Sequence, residues 1–310
     1  MKAYLGIDTS NYTTSCALYF PETGEVTQKK KLLPVKEGEL GLRQSDAVFH
    51  HTVQLPELLK ELFEDFTGEI AGVGVSDAPR RVEGSYMPCF LAGVNGATAF
   101  SLASKTRLQR FSHQQGHIAA AIYSVGKPEL FKKQFLAFHV SGGTTDALLV
   151  KPDENEIISC EMLASSLDLK AGQAIDRVGV MLGFPFPAGK YVDALALESH
   201  KRYKVNIKLK DGNCCLSGIE NKCKAMLNSG ESKEDICRYC IDSIMSALIK
   251  MAEYQLQKFG DMPILFSGGV MSSKVISAEL TKRFGAYFAQ PEYSCDNAAG
   301  IAYLSFLKNE

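Results

Sequence analysis

Residues 135–150, FLAFHVSGGTTDALLV, decide the fold class of this chain of 310 residues. Two apolar stretches flank a short run of glycine and hydroxyl residues, a pattern that predicts a β-hairpin with a small polar turn. Residues 3–20, AYLGIDTSNYTTSCALYF, show the same arrangement near the start of the chain. A hairpin of this kind that occurs twice indicates two related lobes.

A third strand pattern ends in a glycine pair. Residues 263–280, PILFSGGVMSSKVISAEL, begin as an apolar strand, break at Gly268-Gly269 and continue at helical spacing. Further helices are predicted at 46–63 (with Pro56 beginning or breaking the helix), 113–123, 171–182, 190–197, 236–259 and 298–308. Strands followed by helices, twice over, predict an α/β protein whose ligand binds in a cleft between two lobes. We place the N-terminal lobe at 1–110, completed by the C-terminal helix 297–310, and the C-terminal lobe at 111–296.

Composition and charge exclude some classes of function. Lys and Arg total 34 and Asp and Glu total 35, so a protein that coats nucleic acid through general basicity is excluded, whereas a local basic patch is not. The N-terminus reaches Asp8 too early for a signal peptide, and the longest uncharged run, 84–104, contains Pro and polar residues. The nine cysteines lack the regular spacing of a secreted scaffold. We therefore predict a cytoplasmic protein with reduced thiols, and neither a membrane nor DNA as a partner.

Small residues in the turns favour anion binding, because backbone N–H groups can approach a phosphate where no bulky side chain intervenes. The first candidate phosphate turn consists of Ser141, Gly142, Gly143, Thr144 and Thr145. A second is Asp8-Thr9-Ser10, in which Asp8 can hold a metal-bound water, and we take Asp8 and Ser10 as candidate catalytic residues. Gly268 and Gly269 before a helix can seat a nucleotide base or ribose. Each turn alone is a weak signal, but the three together favour a nucleotide site.

The segment HQQGH at 113–117 is a sharper signal. Histidines at positions i and i+4 of a helix share one face, so His113 and His117 can bind one metal ion. Gln114 stands where a zinc peptidase of the HExxH type needs glutamate as its base, which argues against that chemistry. Asp296, at the predicted start of the last helix, is the candidate third ligand. The alternative is two histidines and a capping carboxylate without a metal.

The cysteines between residues 214 and 240 allow a second metal hypothesis. They are Cys214, Cys215, Cys223, Cys237 and Cys240. Structural zinc commonly uses two CxxC pairs, and this region has one, inside a predicted helix. Buried thiols are therefore favoured over a zinc or iron–sulfur site. Basic clusters at 29–31, 80–81 and 201–210 are interpreted as solvated faces, with phosphate contacts as the alternative.

Taken together, the segments LGIDTS, HQQGH, VSGGTT, AGQAIDRVGVMLGFPFPAG, SGGV and SCDNAAGIAY, in that order, resemble the TsaD family of tRNA threonylcarbamoyladenosine transferases. This family was historically filed as glycoproteases, or peptidase family M22. The resemblance implies the actin-like ATPase fold of sugar kinases and Hsp70, with two duplicated lobes and a nucleotide and metal cleft between them. It also implies transfer of a threonylcarbamoyl group from its adenylate to N6 of adenosine 37 in tRNA.

The resemblance also implies cofactors, partners and site residues. One divalent metal, iron or zinc, would be held by His113, His117 and Asp296. ATP or an adenylate would contact the phosphate turn, and Asp176 and Asp193 would bind its ribose hydroxyls. The remaining nucleotide contacts would be Gly189, Gly268, Gly269 and Ser273. The implied partners are the nucleotide, tRNA, and a TsaB-like paralogous subunit or a second copy of the chain.

Several positions depart from the family pattern. Tyr12 and Thr13 replace an acidic pair in the first turn, Ser273 replaces an asparagine, and Lys190 replaces a proline. A phenol or hydroxyl has neither the charge nor the basicity of a carboxylate at neutral pH. Three functions therefore stay open: a TsaD-type transferase, a divergent paralogue that carries a carbamoyl-type group to another acceptor, and a non-catalytic ATP-binding scaffold.

Overall fold

The computed structural model describes residues 1–10, 12–34 and 42–310. Within these residues, ten strands form two five-stranded sheets, and nine α-helices surround them. The strands are β1 (Lys2–Asp8), β2 (Thr13–Phe20), β3 (Glu25–Leu32), β4 (Glu69–Ala78), β5 (Leu108–Ser112), β6 (Phe135–Val140), β7 (Thr145–Asp153), β8 (Ile157–Ser165), β9 (Ile264–Ser267) and β10 (Tyr287–Phe288). The helices are α1 (Gln44–Phe63), α2 (Phe90–Ser104), α3 (His113–Ser124), α4 (Ala171–Met181), α5 (Gly189–Glu198), α6 (Ser217–Asn228), α7 (Lys233–Phe259), α8 (Lys274–Phe284) and α9 (Ala299–Asn309).

The two sheets have the same strand order. The first runs β3-β2-β1-β4-β5, and the second runs β8-β7-β6-β9-β10. In each sheet the central strand pairs antiparallel with the next strand of its hairpin and parallel with a strand that follows later in the chain. Both predicted hairpins are therefore present, and each opens one copy of a duplicated arrangement.

The chain divides into two compact units. The first consists of residues 1–132, 151–160 and 292–310, and the second of residues 133–150 and 161–291. The lobe boundary predicted between residues 110 and 111 falls inside β5, which pairs with β4. In addition, α3 packs against α9, so the structure places α3 in the first unit.

The first unit packs helices on both faces of its sheet. Leu5, Ile7 and Val73 on one face join the core formed with α1 and α2. The other face is covered by α9, which needs the absence of a side chain at Gly6, because a Cβ atom there would lie 2.4 Å from the amide nitrogen of Ala302. The second unit has a separate core in which α7 packs against α4, α5, α6 and α8.

One local prediction differs from the structure. Pro56 lies inside α1 without ending it, because the carbonyl group that loses its donor belongs to exposed Thr52, where water can replace the bond. The basic segment 201–209 forms neither a helix nor a strand, and side chains of α7 bind its backbone: Asp242 accepts from the N–H of Tyr203 and Lys250 donates to the carbonyl of Ile207. No described helix combines the length and the apolarity that crossing a membrane requires.

Candidate functional site

The first unit gathers polar side chains where parallel strands end. Strands β1, β4 and β5 run parallel, so their carboxyl ends share one sheet edge. Asp8 is the last residue of β1, Ser76 lies near the end of β4, and His113 follows β5 directly. Ser76 Oγ donates to Asp8 Oδ1, and Ser10 Oγ donates to Asp8 Oδ2 at 3.0 Å. The sheet edge thus brings Asp8, Ser10 and His113 together.

The start of α3 is fixed by reciprocal hydrogen bonds. Ser112 Oγ accepts from the backbone N–H of Gln115, and the side-chain oxygen of Gln115 accepts from the backbone N–H of Ser112 at 2.7 Å. Such a capping box holds the first helical turn in place. His113 is therefore the first residue of α3, and His117 lies one turn further along, with the two ring centroids 4.2 Å apart.

His113, His117 and Asp296 form a compact group of donor atoms. Asp296 Oδ1 lies 3.3 Å from His117 Nε2 and 3.6 Å from His113 Nε2. One ligand atom from each residue can be chosen so that all lie within 4.8 Å of one another. The structure thus brings together all three predicted metal ligands, within the first unit.

Asp8 contacts the opposite side of the His113 ring. Its Oδ2 atom lies 2.8 Å from His113 Nδ1, and Asp8 is 1% exposed. A carboxylate at Nδ1 keeps the proton on that nitrogen when Nε2 binds a metal ion, the arrangement of carboxylate–histidine–metal sites. Through these hydrogen bonds Asp8 orients the His113 ring, and Ser10 orients the carboxylate of Asp8.

Negative charge dominates the electrostatics of this group. Burial lowers the pKa of His113, but the charge of Asp8 and the hydrogen bonds of Asp296 and Asp8 outweigh it and raise that pKa to about 10. Burial would raise the pKa of Asp296, yet its bonds to His113 and His117 hold it well below the usual range. The pKa of Asp8 is likewise lowered, against the effect of burial, by the charge of His113. In the metal-free group His113 is therefore protonated at neutral pH, and a metal cation would take the place of that proton between the two carboxylates.

The donor set fits a divalent transition metal. Imidazole nitrogen with one carboxylate oxygen suits iron or zinc, and three protein ligands leave positions for water or substrate oxygens. In the part of the chain that the structure describes, no cysteine belongs to a group of this kind. Cys214, Cys223, Cys237 and Cys240 are buried and Cys215 is exposed. Burial raises the pKa of Cys237 to about 12, so this thiol is protonated at neutral pH.

The second unit contains a pocket of about 730 Å³. It is lined by α4, α5, the loop before α5 and the segment between β9 and α8. The predicted nucleotide residues on its wall are Gly142, Asp176, Gly189, Asp193, Gly269 and Ser273. Ser141, Gly143, Thr144, Thr145 and Gly268 are not among the residues that line it. Its volume lies within the usual range for small-molecule sites.

The two pocket carboxylates differ in their hydrogen bonds. Asp176 Oδ1 accepts from the N–H of Ala188 at 2.7 Å, whereas its Oδ2 atom has no protein donor among the described residues. Asp193 Oδ1 accepts from Ser273 Oγ, and its Oδ2 accepts from the N–H of Lys274 at 3.2 Å. Ser273 also caps α8 by accepting from the N–H of Ile276. Asp193 and Ser273 therefore fix the start of α8, and Asp176 offers the less engaged oxygen to a ligand.

The predicted phosphate turn is held internally. Ser141 Oγ accepts from the N–H groups of Gly143 and Thr144 at 3.2 and 3.1 Å. Thr145 Oγ1 accepts from the N–H of Ala171 and so anchors the start of α4. The turn leaves Gly142 facing the pocket, and a Cβ atom on Gly172 would lie 2.7 Å from the amide nitrogen of Gly142. Gly268 is also required, because its φ is +99° and a Cβ atom there would lie 2.3 Å from the carbonyl oxygen of Val140.

Sequence patterns missed several residues of both sites. Ser76 contacts Asp8 and belongs to no motif, whereas Thr13, which contacts Asp296, was noted only as a departure from the family pattern. The pocket wall also includes Phe186, Lys190 and Lys274. Lys190 was noted as a departure from the family pattern and Phe186 only as part of the Pro-rich segment before α5, and neither was predicted as a wall residue.

The family model for TsaD, tRNA N6-adenosine threonylcarbamoyltransferase, matches residues 25–303. A protein of Sulfurihydrogenibium sp. (strain YO3AOP1), named tRNA N6-adenosine threonylcarbamoyltransferase, is 28% identical over 97% of this chain and 89% of its own length. A protein of the same name from Methanopyrus kandleri is 24% identical over 93% of this chain and 83% of its own length. The match extends over both units of the chain.

Solved structures share the fold at low sequence identity. Component A of (R)-2-hydroxyglutaryl-CoA dehydratase from Acidaminococcus fermentans superposes with a TM-score of 0.56 at 15% identity, covering all of both chains. The ROK hexokinase of Thermus thermophilus gives a TM-score of 0.51 at 13% identity, covering 99% of each chain. These similarities confirm the predicted actin-like ATPase fold.

Proposed function

The chain belongs to the tRNA N6-adenosine threonylcarbamoyltransferase family, and from this premise we propose that it transfers a threonylcarbamoyl group from its adenylate to N6 of adenosine 37 in tRNA. The observation that carries this proposal is the group formed by His113, His117 and Asp296 with Asp8 behind it. A scaffold that only binds nucleotide needs neither a metal-ligand group nor a carboxylate that orients one of its ligands.

The pocket of the second unit is the proposed adenylate site. Its wall is mostly apolar and contains Gly142 and Gly269, where backbone can approach a ligand closely. The free oxygen of Asp176 accepts a hydrogen bond from a ribose hydroxyl, and Lys190 and Lys274 supply positive charge at the same wall. ATP, AMP and the threonylcarbamoyl adenylate share the nucleoside monophosphate that this pocket would recognise.

The proposed metal is iron or zinc, held by His113, His117 and Asp296. When bound, it would neutralise phosphate charge and polarise the carbamoyl carbonyl as a Lewis acid. Asp8 keeps the Nδ1 proton on His113, so that the other ring nitrogen is available as a ligand. Ser76 and Ser10 donate to Asp8 and so fix both of its oxygens.

The proposed reaction exchanges one bond at the carbamoyl carbon. The N6 amine of adenosine forms a C–N bond to that carbon, the C–O bond to the adenylate phosphate breaks, and AMP leaves. The proton that the amine loses passes to the released phosphate or to water. The enzyme contributes chiefly by holding the two reactants in position, since an oriented pair reacts as a unimolecular system.

Complementation tests this function directly. The gene is expressed in cells depleted of their own enzyme of this family, and threonylcarbamoyladenosine is measured in digested tRNA by mass spectrometry. We expect the nucleoside to return with the wild-type protein and with His200→Ala, an exposed histidine outside the site. It should not return with His117→Ala. A wild-type protein that binds metal and ATP but restores no nucleoside would favour another acceptor, and one that binds ATP without turnover would favour the scaffold.

Two partners belong to the same proposal. We expect tRNA as the acceptor and a TsaB-like paralogous subunit as the protein partner, with a homodimer as the alternative. Sedimentation equilibrium of the purified chain distinguishes a monomer that awaits a subunit from a self-associated dimer. Complementation should then be repeated with a co-expressed paralogous subunit before a negative result is assigned to the chain itself.

A further inference from the structure

Thr13 has a defined place beside the metal-ligand group. It is the first residue of β2, directly after the turn that leaves β1, and its N–H donates to the carbonyl of Ser10 at 3.2 Å. The β1–β2 pairing, in which Asp8 lies opposite Ser15, fixes the position of Thr13. Thr13 is 6% exposed, so its hydroxyl has little access to bulk water.

The Thr13 hydroxyl contacts one oxygen of Asp296. Thr13 Oγ1 lies 3.4 Å from Asp296 Oδ2, at the long end of the range for a hydrogen bond. The other oxygen, Oδ1, lies near both histidine Nε2 atoms. The two oxygens of this carboxylate therefore have different surroundings: one faces the histidines, and one faces a hydroxyl donor.

We propose that Thr13 is a positioning residue that holds Asp296 as a ligand through a single oxygen. The inference rests on the metal site of the proposed function. A donor at Oδ2 occupies that oxygen and keeps Oδ1 directed toward the histidines. Thr13 thereby has the same relation to Asp296 that Asp8 has to His113, and both contacts come from the β1–β2 hairpin.

The chemistry of residue 13 makes this role specific to a hydroxyl side chain. Threonine and serine donate a hydrogen bond to a carboxylate, whereas valine has the shape of threonine without a donor. An ionised acid at this position would accept only, and would add negative charge beside Asp296. A neutral donor is thus the side chain that can both fix the carboxylate and leave its charge to the metal.

The test compares metal binding of Thr13→Val, Thr13→Ser and Thr14→Val with that of the full wild-type chain. Zn²⁺ affinity is measured by competition with a chromogenic chelator, and the visible absorption of bound Co²⁺ reports its coordination geometry. We expect Thr13→Val to weaken Zn²⁺ binding by roughly 10-fold or more and to change the Co²⁺ spectrum. Losses of this size are typical when a residue that hydrogen-bonds to a metal ligand is removed. Thr13→Ser should retain wild-type affinity and spectrum.

Thr14→Val is the matched control for structural damage. Its hydroxyl contacts His51 and Gln54 and has no contact with Asp296, so its loss should lower thermal stability but leave metal affinity unchanged. If Thr13→Val binds Zn²⁺ with wild-type affinity and an unchanged Co²⁺ spectrum, the role of Thr13 is disproved while the metal site stands. If the wild-type chain binds neither ion, the metal part of the proposed function fails, and this inference fails with it.

Discussion

Asp8 Oδ2 lies 2.8 Å from His113 Nδ1, although 105 positions separate the two residues in sequence. The contact arises because β1 and β5 both pair with β4 and end at the same edge of the sheet. It gives the buried carboxylate a partner and directs the other ring nitrogen of His113 toward Asp296. In the proposed metal site Asp8 would therefore orient a ligand without being a ligand itself.

Replacing Asp8 tests that indirect role. Asp8→Asn keeps the volume of the side chain but removes the charge that supports His113, so metal affinity should fall about 10- to 100-fold. Chelator competition measures the change. Asp77→Asn is the control, because Asp77 follows Ser76 in β4 but pairs with Arg81 rather than with the histidines. Equal metal affinities of Asp8→Asn and wild type would show that Asp8 does not support His113 as a ligand.

The proposed role of the pocket as a nucleotide site is tested at Asp176. Asp176→Asn keeps an oxygen for the N–H of Ala188 but turns the less engaged acceptor into an amide donor. The affinity for AMP should therefore fall by roughly 10-fold, the loss expected for one hydrogen bond to a charged group. Isothermal titration calorimetry measures it. Asp168→Asn, which lies outside the pocket wall, should leave AMP binding unchanged.

The packing of α3 on α9 depends on a glycine. A Cβ atom on Gly300 would lie 1.9 Å from the carbonyl oxygen of Gly116. Because backbone cannot yield as a flexible side chain can, Gly300→Ala should lower the free energy of unfolding by about 3 kcal/mol and should weaken metal binding by displacing α3. Gly218→Ala in α6 has open space around it and should be neutral or stabilising. Urea denaturation of both variants decides the point.

The start of α6 gives a pH-dependent prediction. Asp168 accepts from the N–H of Leu216 at 2.7 Å and from Ser217 Oγ at 2.5 Å. Burial would raise the pKa of Asp168, but these bonds, the Ser217 hydroxyl first among them, lower it. A carboxyl whose pKa is lower in the folded state stabilises the protein above its unfolded-state pKa, and this contribution disappears as pH falls through the folded-state pKa.

Asp168→Asn should therefore be less stable than wild type at pH 7, by roughly 0.5 kcal/mol, because the carboxylate lies at the N-terminus of α6, where negative charge is favourable. The difference between the two proteins should shrink as the pH falls below about 4, the usual pKa of aspartate. Urea unfolding at a series of pH values measures this difference and cancels the effect of other titrating groups. A difference that stays constant from pH 7 to pH 3 would show that the charge of Asp168 does not matter.

Local pattern predicted much of the fold. The two hairpins appear as β1–β2 and β6–β7, because apolar runs joined by small polar turns are local features of the sequence. Strand β3 was not predicted, since its sequence, EVTQKKKL, is exposed along most of its length and has the composition of a basic surface. The assignment of residues 151–160 to the first unit has no local signal at all, because it depends on packing.

The candidate metal site was predictable in part for the same reason. His113 and His117 share a helix turn, so their spacing alone places them together, and Asp296 precedes a recognisable helix start. The contacts of Asp8 with His113 and Ser76 join β1 to β4 and to the start of α3, and no spacing in the sequence encodes them. The hydrogen bonds of Thr13 with Asp296 and of Ser273 with Asp193 likewise join segments that are distant in sequence, so no local pattern encodes them.

The position of α9 sets the order in which the chain can fold during synthesis. The groove around Gly6 on the first sheet is filled by a helix that leaves the ribosome only after all of the second unit has been made. Domains synthesised first generally fold first. Here the first unit cannot complete its packing until α9 has been synthesised, so the second unit can complete its core earlier. A nascent chain stalled before residue 299 would expose the face of the first sheet that α9 covers. Chaperones that recognise apolar surface would be expected to bind this face.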